Sequence, residues 1–157
     1  MQAPRTLHRD LESQPAKEPL YSRFFMEKTV FDPLRKKHVA LTPEEQVRQF
    51  FIGWLHTERH WPLQLMASEY GIKLGRKSLR CDIVAFNKGL QPQMIVECKA
   101  PQVALDREVL DQIMAYNVVL GVPYLVITNG CTTYVCRCNK EKGKYEFVED
   151  VPFYSSI

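Results

Sequence analysis

Residues 80–101 decide the fold. They read Arg80-Cys81-Asp82-Ile83-Val84-Ala85-Phe86, then a polar turn, then Met94-Ile95-Val96-Glu97-Cys98-Lys99-Ala100-Pro101. Each run alternates or is continuously apolar, as buried strands are, and the two together predict a hairpin. Strand side chains repeat every second residue, so Ile95, Glu97 and Lys99 share a face. Asp82 stands near the start of its strand and Glu97 near the end of the next. An antiparallel hairpin therefore brings Asp82, Glu97 and Lys99 together at one sheet edge. Buried charges must be paired or bind a metal. Two carboxylates beside an ammonium group can hold a divalent cation and place a water next to it.

The flanking sequence supplies the rest of the sheet. Thr42-Pro43-Glu44-Glu45 opens a helix, with Thr42 as N-cap, Pro43 at the first helical position and Glu45 completing a capping box. Val47, Phe50, Phe51, Trp54 and Leu55 follow at helical spacing as its buried stripe, while Glu45, Arg48 and Gln49 share another face. Trp61-Pro62 starts a short second helix to about Ala67, and Glu69 to Leu74 reads as a strand with Tyr70, Ile72 and Leu74 on one side. Gly75-Arg76-Lys77-Ser78 is the turn before the Asp82 strand. A helix is expected from about Asp106 to Leu120, with Val109, Ile113, Ala115 and Val119 among its apolar positions and Gly121 ending it. Tyr124–Thr128 is a buried strand, Asn129-Gly130 a turn, and Thr132–Cys138 pairs back. A last strand lies near Tyr145 to Val148. Leaving the short second helix aside, the order is helix, three strands, helix, strand, then extra strands: an α/β fold with a mixed sheet and helices packed on it.

The chain has 157 residues, enough for one sizeable core, with 45% hydrophobic and 25% charged residues. No apolar run approaches a membrane span. Met1 to Glu18 is polar, carries Pro4 and Pro15 and lacks the apolar centre of a signal peptide. Residues 1–32 are expected to be a partly irregular leader and 33–157 a single domain. Five cysteines without a Cys-x-x-Cys pair point to free thiols in a reducing cytoplasm. Cys131, Cys136 and Cys138 fit no familiar ligand spacing and read as small buried apolar residues. His8, His38, His56 and His60 have no partners that complete a ligand set. The net charge of +3 permits an anionic partner. Arg35-Lys36-Lys37-His38 is either a solvated stretch or a phosphate contact, as is the Arg76-Lys77 turn.

Gln112 and Tyr116 are four residues apart on the helix that follows Lys99, so they share a face near the carboxylates. An amide and a phenol there can hydrogen-bond a phosphate or steady a charged side chain.

Asp82, then Glu97-x-Lys99, then Gln112-x-x-x-Tyr116 resembles the PD-(D/E)xK nuclease superfamily, in its RecB-like branch. The chain is most similar there to the N-terminal nuclease domain of type I restriction enzyme R subunits. Residues 42–49, Asp82-Ile83-Val84, Val96 to Pro101, Gln112 with Tyr116-Asn117, and Thr128-Asn129-Gly130 carry that match, within roughly residues 33–140. The resemblance implies a restriction-endonuclease-like core and hydrolysis of DNA phosphodiesters with Mg2+, or Mn2+ in its place. It implies Asp82 and Glu97 as metal ligands, with the Cys98 carbonyl as a third oxygen. Lys99 would orient or activate the attacking water, and Gln112 and Tyr116 would position the site or the DNA backbone. Glu45, or else Glu69, would supply a further acidic group from outside the hairpin. Some RecB-like nucleases carry an iron–sulfur cluster, which the cysteine spacing here does not match. Cys81 stands where the proline that names the superfamily would be. No Gly-x-x-x-x-Gly-Lys-Ser/Thr loop is present, so the chain lacks the sign of an ATP motor. The expectation is a nuclease domain standing alone, with DNA and a separate motor or specificity subunit as partners and no membrane. The alternative is a non-catalytic DNA-binding or assembly module that retains the fold.

Overall fold

The computed structural model describes residues 28–157. The polar leader from Met1 to Glu18, with His8, lies outside the described residues. The strand β1 (Thr29–Asp32) pairs antiparallel with β2 (Lys37–Ala40), so ordered structure reaches into the stretch expected to be leader.

Helix α1 (Pro43–Glu58) starts where its capping signals stand. Thr42 Oγ1 accepts the Glu45 N–H at 3.1 Å, and Pro43 occupies the first turn, where a missing N–H costs nothing. Its buried side is Val47, Phe51, Ile52 and Leu55. Phe50, expected in that stripe, is 64% exposed; it is one residue off the packed face, and Ile52 takes the place. Trp61 is fully buried and donates its indole N–H to the Pro152 carbonyl at 3.0 Å, which ties the C-terminal segment to the end of α1.

The expected second helix is a single 3-10 turn, Leu63–Leu65, and Met66 and Ala67 already belong to β3 (Met66–Leu74). β-Sheet pairing with the next strand outweighs the weak helical signal of a segment this short. Strands β4 (Lys77–Phe86) and β5 (Pro92–Cys98) follow. Helix α2 (Arg107–Leu120) is capped by the Asp106 carboxylate, which accepts the N–H groups of Glu108 and Val109, and ends at Gly121 with φ of 61°. Then come β6 (Tyr124–Thr128), β7 (Thr133–Asn139) and β8 (Lys144–Val148).

The main sheet has six strands in chain order, β3 to β8. Every neighbour is antiparallel except β5 and β6, whose parallel pairing requires the α2 crossover between them. The mixed sheet and the element order are those expected. α1 packs on one face, where Phe51, Ile52 and Leu55 meet Met94, Val96 and Val126. α2 packs on the other, where Val109, Ile113 and Tyr116 meet Ile95, Leu125 and Ile127. Core on both faces explains why β5 and β6 read as continuous apolar runs.

Candidate functional site

The site is built where two central strands part. β4 and β5 pair from Phe86↔Pro92 up to Ile83↔Val96, and no pair follows. Asp82 is the next residue of β4, and its carboxylate takes over from the ladder: Oδ2 accepts the Cys98 N–H at 2.7 Å. Asp82 is thus mid-strand rather than near a strand start, because β4 begins at Lys77 to pair with β3. The carboxylates meet inside the sheet, not at its edge. On the other side of β4, Ser68↔Ile83 and Tyr70↔Cys81 pair around Glu69, which is skipped and has φ of 55°. That left-handed conformation costs about 1–2 kcal/mol for a residue with a side chain.

Glu97, the sixth residue of β5, faces α2. Gln112 Nε2 donates to Glu97 Oε1 at 3.1 Å and to the Tyr116 hydroxyl at 2.8 Å. Lys99 Nζ donates to the same Glu97 oxygen at 3.2 Å and to Gln112 Oε1 at 3.1 Å. Glu97, Lys99, Gln112 and Tyr116 therefore form one connected network, with Asp82 beside it. Glu97 is 4% exposed, and its second oxygen, Oε2, is buried without a hydrogen-bond partner. Burial, and then the neighbouring Asp82, push its pKa up to about 8 against the pull of Lys99. Burial also raises Asp82, opposed by Arg48 and the Cys98 N–H. Tyr116 is raised by burial.

Arg48 joins the second half of the cluster, and it is the residue that sequence reasoning missed. Its Nη2 donates to Asp82 Oδ1 at 2.8 Å, and its Nη1 lies 2.6 Å from Glu69 Oε1 and 3.2 Å from Glu45 Oε2. It shares a face with Glu45 and Gln49, as expected, but that face is not solvated at Arg48. It is 4% exposed and in register with Phe51, Ile52 and Leu55, one and two turns on. An arginine at core spacing was the available signal, since a buried guanidinium needs carboxylates around it. Burial alone would lower its pKa; Asp82, Glu45 and Glu69 together raise it.

Glu45 reaches this cluster through Arg48, and its side chain is occupied by Arg35, Gln49 and Arg48 rather than by the cap. Glu69 reaches it the same way and also meets Arg80 at 3.5 Å. Arg35 is neither solvated nor set out for phosphate: it ties Asp32 to Glu45 across the turn between β1 and β2. Asp32 is fully buried; its carboxyl is held below the usual range because hydrogen bonds from Arg35 and Leu34 outweigh the burial.

Asp82 and Glu97 are the residues here that could hold a hard divalent cation. Two carboxylates suffice for Mg2+, which keeps several waters, and the unpartnered Glu97 Oε2 is the atom such an ion would satisfy. Among the described residues no group of three or more His, Cys, Asp or Glu side chains is set to hold a metal. Cys98 is buried and contributes its N–H to Asp82. Of the other cysteines, Cys136 is buried and Cys138 half-buried, but Cys131 is exposed, because it sits in the turn after Asn129-Gly130. His38 stacks edge-on to Phe31, His56 Nδ1 lies 2.9 Å from the Trp61 carbonyl, and His60 lies against Phe153.

The Thr128-Asn129-Gly130 segment adjoins the site, because the Thr128 carbonyl accepts the Lys99 N–H at 2.8 Å. Asn129 Oδ1 accepts the N–H groups of Cys131 and Thr132. Gly130 has φ of 84°, and a Cβ there would stand 3.3 Å from Val47 of α1. Only glycine suits both the backbone and that approach. Among the described residues no helix is long and apolar enough to cross a membrane.

No curated protein matches the chain. A solved structure described as a fragment of an HsdR subunit, assigned to a type I restriction enzyme of Vibrio vulnificus YJ016, is similar to it. The two share 17% identity with a TM-score of 0.52, over 73% of this chain and 24% of the other, so the chain spans about a quarter of that protein's length. This likeness, with the element order, makes the core restriction-endonuclease-like. Residues 43–152 match the family described as type I restriction enzyme R protein N terminus, and the match takes in α1, the parted strands, α2 and the Asn129-Gly130 turn. The chain belongs to the type I restriction enzyme R protein N-terminus family.

Proposed function

We propose that this chain is a metal-dependent DNA phosphodiester hydrolase, a restriction-type nuclease domain that acts with Mg2+ or Mn2+. The observation that carries the reading is the pair Asp82 and Glu97 at the parted strands, with Glu97 Oε2 buried and unpartnered. A buried carboxylate oxygen without a partner costs about 1–3 kcal/mol, which a bound cation would return. When bound, the ion supplies Lewis-acid polarisation of the phosphate and an acidified water.

The chain's own residues do the rest. Asp82 is held by two donors, the Cys98 N–H and Arg48, so its carboxylate is oriented in advance. Lys99 has three N–H donors and uses two, on Glu97 and Gln112. The third is free for the attacking water or a phosphate oxygen. Gln112 sets the Lys99 and Glu97 side chains relative to each other, and Tyr116 steadies Gln112. Family membership favours DNA as substrate and further subunits as partners.

The test is cleavage of plasmid and single-stranded DNA with Mg2+ or Mn2+. Wild type is expected to cut, while Glu97→Ala and Lys99→Ala fold normally and do not. Cutting by Lys99→Ala at the wild-type rate would assign the activity to another site or a contaminant. A second reading, a DNA-binding or assembly module without turnover, is favoured by Arg48, a cation that already neutralises Asp82. DNA binding without cleavage in any divalent metal supports that reading.

A further inference from the structure

The hairpin of β3 and β4 extends beyond the body of the sheet. β4 pairs with β5 only from Ile83 onward, so residues 77–82 have β3 as their sole strand neighbour. The result is a two-stranded ribbon of residues 70–81. One face is packed: Ile72 and Cys81 are buried in the core under α2, with Tyr70 and Leu79 against them. The other face is bare. Gly71 pairs with Arg80 and Lys73 with Ser78, and all four residues are exposed. Arg76 and Lys77 form the exposed tip.

The ribbon carries Lys73, Arg76, Lys77 and Arg80 and no acidic residue between positions 70 and 81. Lys73, Arg76 and Lys77 make no ion pair and no side-chain hydrogen bond among the described residues, so their charge is uncompensated. Arg80 marks the other end of the row. It contacts Glu69, which contacts Arg48, which holds Asp82. Ion pairs therefore link the Arg80 end of the ribbon to Asp82.

Gly71 is the second observation. A glycine inside a strand weakens it and often marks close approach of another backbone. Its φ is not in the left-handed region, and a Cβ there would meet nothing within 4 Å. Neither folding geometry nor packing of this chain requires glycine at 71.

We propose that the bare face of the β3–β4 ribbon and its tip together form a docking surface for duplex DNA, with Lys73 of the bare face and Arg76 and Lys77 of the tip on phosphates, Gly71 giving clearance and Arg80 next to the scissile region. Lys77 pairs with Leu74 on the packed side and is exposed because it stands at the tip. A two-stranded ribbon has the width of the B-DNA major groove, whereas the deep, narrow major groove of an RNA duplex excludes it. The packing under α2 holds the ribbon rigid before binding. The inference rests on the proposed function for the choice of DNA, but it is tested by binding rather than cleavage.

The experiment is fluorescence anisotropy with a short labelled DNA duplex in EDTA, titrated at several salt concentrations. Lys73→Gln, Arg76→Gln and Lys77→Gln combined should weaken binding. They should also flatten the plot of log K against log salt by about 2.7, that is about 0.9 for each lost phosphate contact. Gly71→Glu should weaken binding while its unfolding midpoint stays at wild type. Lys140→Gln with Lys144→Gln, at the β7–β8 turn, should leave binding unchanged. Wild-type affinity and slope in the triple variant overturn the inference, as does equal or tighter binding of an RNA duplex. Binding of phosphatidylserine vesicles without duplex binding overturns it too. A triple variant that loses binding while wild type never cuts DNA upholds the ribbon and removes the nuclease reading. A triple variant that binds and cuts like wild type does the reverse.

Discussion

Arg48 and Asp82, 34 positions apart, are joined by a buried ion pair at 2.8 Å that locks helix α1 onto strand β4 at the point where β4 leaves β5. Asp82 is held on its other oxygen by the Cys98 N–H. One carboxylate thus fastens three elements together. The same guanidinium serves Glu45 and Glu69.

Replacing Arg48 therefore leaves Asp82 buried without its counter-charge and takes one partner each from Glu45 and Glu69. Breaking a buried pair on one side costs about 3–5 kcal/mol. Arg48→Ala should lower the unfolding free energy by that amount, read as a lower urea midpoint at unchanged slope, and Arg48→Lys should recover only part, because one ammonium cannot reach three partners in a fork. An unchanged midpoint for Arg48→Ala would remove the network from the stability of the fold.

Glu97 should make the metal-free protein less stable as pH rises. Its folded pKa, about 8, lies above the ordinary value of 4.5. The folded state then binds the proton more tightly than the unfolded state. The stabilisation is fully present below 4.5 and is lost as pH rises through about 8. Asp82 and Lys99 face Glu97 and set the position of that loss. Glu97→Gln should flatten the pH dependence of unfolding across this window; an identical profile in the variant would show that the buried oxygen is not responsible.

Divalent metal should reverse that loss. An ion bound only to the folded state adds about 2.7 kcal/mol at a concentration 100 times its Kd. For a domain of this size each kcal/mol is worth about 2–4 °C in Tm. Differential scanning fluorimetry should show Mg2+ raising the Tm of wild type but not of Glu97→Gln. A rise of the same size in both proteins would place the ion elsewhere.

Gln112 and Tyr116 should separate by magnitude. Gln112 contacts Glu97, Lys99 and Tyr116, whereas among the described residues the Tyr116 hydroxyl is bonded to Gln112 alone. Gln112→Ala removes a hydrogen bond to each of two charged groups and should lower kcat/KM roughly 10- to 100-fold. Tyr116→Phe should cost within about 1 kcal/mol in stability and little in rate. Equal loss in both would mean that the phenol itself meets substrate.

Local signals were enough for most elements. Thr42-Pro43 placed the start of α1, and the alternating runs around Asp82 and Glu97 placed β5 and all but the first residues of β4, because caps and strand periods act over a few residues. The misreadings arose where a distant partner decides. Residues 66–67 join β3 because β4 lies beside them, not because of their own preference. Arg35 turns inward because Asp32 and Glu45 meet there.

The sequence by itself determined the element order and the set Asp82, Glu97, Lys99, Gln112 and Tyr116, since these stand on neighbouring strands and the next helix at short spacings. Only the tertiary structure decided that the set sits inside the sheet, at the parting of β4 and β5. It also decided that Arg48 is the hub of the carboxylates and that Glu97 keeps one oxygen unpaired. The reason is physical. Periodicity and capping are properties of contiguous chain, whereas the partner of a buried charge is set by packing between residues far apart in it.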